Sequence, residues 1–183
     1  MKRKLLLAAA SAAVLAGCDY TVPLAETPEL PIDTALVGAW VRTTKEGAEE
    51  HLLVLPLSKN EDLVSFPARS KDAMFARACL CKSAGMALVQ MTWFGTAQGV
   101  TLAEGRVYQY ATFSVAGDTL KARLLNADVV DREAATPAAL AAAIEANRKD
   151  PHLFRDVLEF KKVKPPDDPN APPKRPPVPA AWQ

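Results

Sequence analysis

Histidine is nearly absent from this chain, two in 183 residues, and cysteine is scarce, three in all. No C-x-x-C occurs, no second Cys pair exists, and no His stands close to a Cys, so no zinc-type ligand set is legible. A charge of one sign is lacking too. There are 22 Lys and Arg against 21 Asp and Glu, a net of +1, and no basic run occurs beyond residues 2–4. Nucleic-acid binding needs a basic patch or stripe, so that class is set aside. The catalytic signatures are missing as well: no G-x-S-x-G, no H-E-x-x-H, no P-loop and no G-x-G-x-x-G. The carboxylate pairs Asp128/Asp131 and Asp167/Asp168 fall at a strand end and in the tail, where solvation accounts for them. A triad scattered through a fold need not show in sequence, but nothing here points to an enzyme, and no cofactor is expected.

What is present begins at the N-terminus, MKRKLLLAAASAAVLAGC. Lys2, Arg3 and Lys4 precede an apolar run, Leu5 to Ala16, broken only by Ser11. That is the order of a secretory signal, too short for a permanent membrane span. No later apolar run is long enough to cross a bilayer.

Leu15-Ala16-Gly17-Cys18 resembles the lipobox of bacterial lipoproteins. The resemblance implies cleavage before Cys18, a diacylglyceryl thioether on its sulfur, and usually an acylated amino group. Each buried methylene contributes about 0.8 kcal/mol, so two or three chains make such an anchor effectively permanent. The implied location is the bacterial envelope, facing the periplasm, with the membrane as first partner. Asp19 resembles the inner-membrane retention signal of enterobacterial lipoproteins. Other proteobacteria read other positions, so inner and outer membrane both stay open.

Four segments follow from composition. Residues 1–17 are the signal. Residues 18–34, with three prolines, read as an extended tether between lipid and domain. Residues 35–163 hold one β-rich domain, a length that suits a single core. In residues 164–183 eight positions are Pro, which predicts polyproline II or disorder.

The domain reads as a mainly β fold: about eight antiparallel strands in a meander, curled into a barrel or half-barrel, with one helix before the last strand. Strands are predicted over 36–43, 49–58, 62–70, 74–81, 86–94 and 156–163, and two more within 106–130. Gly117-Asp118 between alternating runs is a two-residue hairpin signature, and KSAG (82–85) offers Gly85 for φ > 0. In the run after Gly117, Leu120, Ala122 and Leu124 alternate with Thr119, Lys121 and Arg123, so one face packs and the other is wet. The helix is predicted from N-cap Thr136 and Pro137, with Leu140 and Ile144 as its apolar stripe and Arg148 and Lys149 at its C-terminal end.

Gly38-Ala39-Trp40 resembles the G-x-W of lipocalins, which implies a barrel that holds a small apolar ligand. The chain departs from that family in placing its helix before the last strand. Read from the residue alone, Trp40 is a core side chain plugging one end of a barrel or sheet.

Cys79 and Cys81 are the one local pair with chemistry. Residues i and i+2 of a strand share a face. Their Cα spacing is near the long end of disulfide reach, about 6–7 Å, so a bond between them would be strained. With Met74, Met86 and Met91 they form an alternative soft-metal set for Cu(I). Buried thiols and gap-filling methionines are the plainer reading. His51 follows Glu49-Glu50, and His152 sits at the helix exit in a capping context. Tyr108 and Tyr110 share a strand face, either core or an aromatic binding surface.

The function expected from these readings is a non-catalytic binding or envelope-assembly module. It meets an envelope protein through an exposed apolar patch and has little internal cavity. The alternative is a lipocalin-like carrier, which requires a cavity of a few hundred Å³. A third, a copper or redox protein, rests on Cys79 and Cys81.

Overall fold

A computed structural model describes residues 20–100 and 105–164. The signal with Cys18, and the Pro-rich tail beyond Lys164, lie outside the described residues. Eight strands run β1 (Gly38–Thr43), β2 (Glu49–Pro56), β3 (Asp62–Ala68), β4 (Met74–Ser83), β5 (Met86–Thr96), β6 (Tyr108–Ala116), β7 (Thr119–Leu124) and β8 (Leu158–Lys162). A helix, α1 (Pro137–Ala146), lies between β7 and β8. Each strand is antiparallel to the next, and β8 returns to β1 through Trp40↔Lys162 and Val41↔Lys161. That last pairing decides for a closed barrel over a half-barrel. Register shifts in β2–β3 at His51/Leu53 and in β4–β5 at Phe75/Ala76 mark bulges, which bend strands and help a sheet close.

Side-chain alternation splits the apolar residues into two cores. The inner one lines the barrel interior with Trp40, Val64, Ala76, Leu120 and Phe160 among others. The outer one lies against β4–β6 and holds Cys81, Leu88, Tyr110, Leu140 and Ile144. Leu140 and Ile144 are fully buried, so the narrow stripe of α1 suffices to dock it on the barrel wall. Thr136 caps the helix as the sequence suggests, its Oγ1 accepting from Ala139 N at 3.1 Å. The C-terminal end differs from expectation. The helix stops at Ala146 because Asn147 takes the cap, its Nδ2 donating to Ala143 O at 2.9 Å. Arg148 and Lys149 lie past the last turn.

Two short turns follow the predicted chemistry. Ala84 (φ 53°) and Gly85 (φ 71°) are both left-handed, as a primed two-residue hairpin requires. Gly117 (φ 57°) opens the β6–β7 hairpin.

The segment read as a tether is docked over its described part, residues 20–34. Tyr20 bridges to Tyr108, with both backbone hydrogen bonds formed. Gln90 on the outer face of β5 holds Leu24 N, Ala25 N and Ala25 O at 2.7–2.9 Å. Asn60 Nδ2 donates to Pro28 O, and Ile32 N to Lys59 O. The chain therefore wraps the barrel wall and arrives at the end where β2 turns into β3. The prolines keep it out of a ladder without preventing side-chain burial.

Candidate functional site

Strand direction gives the barrel two unlike ends. At one, the β2–β3, β4–β5 and β6–β7 connections are short turns, and the incoming chain crosses with Leu36 and Trp40 inside it. Trp40 is fully buried, its indole N–H donating to Leu36 O at 2.8 Å, with Lys162 Nζ 5.0 Å from the ring centroid. The Trp plugs this end, as the sequence reading had it. At the other end β7 and β8 are joined by the long excursion through α1. There Arg42 and Glu50 stand opposite each other on β1 and β2, and their side chains are 24 and 27 % exposed. This is the mouth.

Between the two ends lies a cavity of about 430 Å³, within the roughly 300–1,000 Å³ of small-molecule sites. Its wall is mostly apolar: Leu52, Val54, Val64, Val89, Phe113 and Leu158 are representative. Five lining residues are polar: Arg42, Glu50, Asp62, Gln109 and Arg155. Arg42 and Glu50 are spent on one another, Nε donating to Oε2 at 2.7 Å. The Arg42 guanidinium also stands 6.0 Å from the Phe66 ring and 5.8 Å from the Phe160 ring. Gln109 Oε1 accepts from Trp93 Nε1 at 3.3 Å. A shallower depression of about 670 Å³ adjoins the mouth and shares Leu124, Arg155 and Leu158 with the cavity. Its rim is fixed by Arg123, which donates to Phe154 O and Arg155 O at 2.8 and 2.9 Å.

Asp62 is the polar residue without an answer. It is 6 % exposed, and its Oδ1 is buried with no hydrogen-bond partner among the described residues. Burial above all, with the charge of Asp33 adding to it, pushes its carboxyl up to about 6. It pairs with Pro56 at the far end of β2 from Glu50. Six residues of strand put it roughly 20 Å along β2 from the mouth pair.

The residues singled out in the sequence fall elsewhere. Cys79 and Cys81 are buried free thiols. They face outward from β4: Cys81 is in the outer core, and Cys79 is opposite Gln90, beneath the docked N-terminal segment. Met74 and Met91 belong to the inner core, whereas Met86 packs against the outer one with Cys81. The barrel wall thus divides the Cys/Met set. Burial pushes both thiols up, Cys81 to about 12 with Cys79 as second cause, so both are protonated thiols at neutral pH. Among the described residues no group of three or more His, Cys, Asp or Glu is placed to hold a metal ion.

His51 Nε2 lies 3.8 Å from Glu49, on its own face, while Glu50 turns inward. His152 N donates to Asp150 Oδ1 at 2.7 Å, a turn cap. Tyr110 is not an open aromatic surface: it is fully buried, donates to Val22 O at 2.5 Å and stacks edge-on with Tyr20. Sequence reasoning missed Asp62, because an Asp opening a strand after an Asn-Glu turn reads as solvated.

No family model, curated protein or solved structure matches the chain. Among the described residues no helix is long and apolar enough to cross a membrane.

Proposed function

We propose that this protein is a lipid-anchored carrier that holds a small apolar molecule inside its barrel. The single observation that carries the reading is the 430 Å³ cavity, apolar over most of its wall and closed at one end by Trp40 and Leu36. A module that acts only through its surface has no use for such a volume in an interior that is otherwise close-packed. The anchor part of the reading rests on the lipobox at Cys18. It places the carrier at the periplasmic side of an envelope membrane, where apolar molecules need shielding from water. No chemistry is assigned to the cavity: its polar groups are paired, apart from one carboxylate.

The experiment is titration with a neutral apolar fluorophore such as pyrene, on the wild type and on Ala122→Phe. Ala122 lines the cavity from β7, and a phenyl group there takes up part of the space. Saturable binding that the Phe variant weakens by tenfold or more supports the carrier. Equal binding by both variants contradicts it.

A further inference from the structure

The carboxyl at the cavity floor says more about the cargo than the apolar wall does. Asp62 alternates inward with Val64 and Phe66 along β3, so it faces the cavity and not solvent. Its Oδ1 has no donor among the described residues. Two positions before it, Asn60 Oδ1 is a second buried acceptor without a donor among them. A buried acceptor is stable only when something donates to it.

The charges around Asp62 sharpen the point. Asp33, on the chain that closes this end, is the charged neighbour acting on it, and it is negative. The two cations that line the cavity stand at its other end, Arg155 beside Leu124 where β7 reaches the mouth. Arg42 is on Glu50 at the mouth, and Lys162 is over the Trp40 ring. Arg123 holds the carbonyls of Phe154 and Arg155, outside the cavity. Among the described residues the charge that acts on Asp62 is Asp33, a negative one, in a medium where charge pairs are strong.

We propose that the cavity selects an apolar molecule bearing a protonated amine, which enters head first and donates from its ammonium group to Asp62 Oδ1. This rests on the carrier reading and names its ligand class. Acidic amphiphiles are disfavoured by the same field, and neutral ones gain only the apolar wall. Wedging the ammonium against a carboxylate forms a charge-assisted hydrogen bond, the strong kind, and removes the unsatisfied acceptor.

The test uses three probes of one chain length, decylamine, 1-decanol and decanoate, each competing with bound pyrene at pH 7.5. Decylamine is expected to displace pyrene at a concentration about tenfold or more below decanol, with decanoate the weakest. Asp62→Asn is expected to bring decylamine to the level of decanol. In the wild type the amine preference is expected to shrink as pH falls to 4.5, a readout that needs no variant to fold. Equal displacement by amine and alcohol, or an amine preference that survives Asp62→Asn, overturns the amine assignment and leaves the carrier standing. Failure of pyrene and of all three probes to bind overturns the carrier and this inference with it.

Discussion

Tyr20 stacks edge-on against Tyr110, ring centroids 5.3 Å apart, and so joins the first described residue of the chain to the middle of the barrel wall. The contact sits in the outer core with Leu88, Leu140 and Ile144. Tyr20 is 1 % exposed and Tyr110 is fully buried. A segment that composition marks as a linker is thereby part of the fold. Cys18 stands two residues before Tyr20 in the sequence. An anchor on Cys18 would hold the barrel against the bilayer and not on a long leash.

Replacing Tyr20 with Ala is expected to cost about 3 kcal/mol or more, the range for losing a buried aromatic. It also uncovers the wall near Cys81. The intact protein is expected to resist thiol alkylation at pH 8, because burial pushes Cys81 to about 12. The Ala variant is expected to react faster. Alkylation followed by intact mass measures both; equal rates would mean that Tyr20 does not shield this wall.

Asp62→Asn is expected to stabilise the ligand-free protein at neutral pH. The sign follows from the shift. The folded carboxyl titrates near 6, above its ordinary 3.8, so folding favours the protonated form. The contribution of this group is complete below about pH 4 and is lost as pH rises through 6. The variant and wild type should melt together at pH 4. Above pH 7 the variant should gain about 1–3 kcal/mol, because it no longer carries a charge into a buried setting. Thermal melts across pH 4–8 check it.

Trp40 closes the cavity floor. Trp40→Ala is expected to cost about 3–5 kcal/mol and to weaken probe retention. Trp40→Phe keeps most of the packing and loses the N–H donated to Leu36 O, about 1 kcal/mol. Denaturant titration separates the two.

Cys79→Ser with Cys81→Ser is expected to leave metal content unchanged and to lower stability, because hydroxyls replace thiols in an apolar setting. Elemental analysis of the purified pair decides. Stoichiometric copper in the wild type that the double variant loses would restore the soft-metal reading.

Cys18→Ser is expected to block lipidation and the cut before residue 18, leaving a precursor that keeps residues 1–17 and lacks the lipid mass; intact mass of the membrane and soluble fractions shows both.

The strands and turns were legible because alternation is local. Leu120, Ala122 and Leu124 face in, and Gly117 and Gly85 turn the chain as their types allow. Closure was not legible, since the pairing of Trp40 with Lys162 joins the two ends of the domain and leaves no local trace. The helix ends two residues before Arg148, because Asn147 takes the cap ahead of the basic pair. Tyr108 and Tyr110 were visible as one face, but what covers them is a distant segment. The site was the least legible part. A cavity is a property of what eight strands leave unfilled, and the meaning of Asp62 depends on burial that its neighbours in sequence do not announce.

The most direct measurement is native mass spectrometry of the protein purified from cells without added ligand, beside the Ala122→Phe variant. The expected spectrum shows a non-covalent adduct of small-molecule mass on the wild type, shed on gentle activation and depleted in the variant. A bare protein mass in both, together with no uptake of added pyrene, would contradict the carrier.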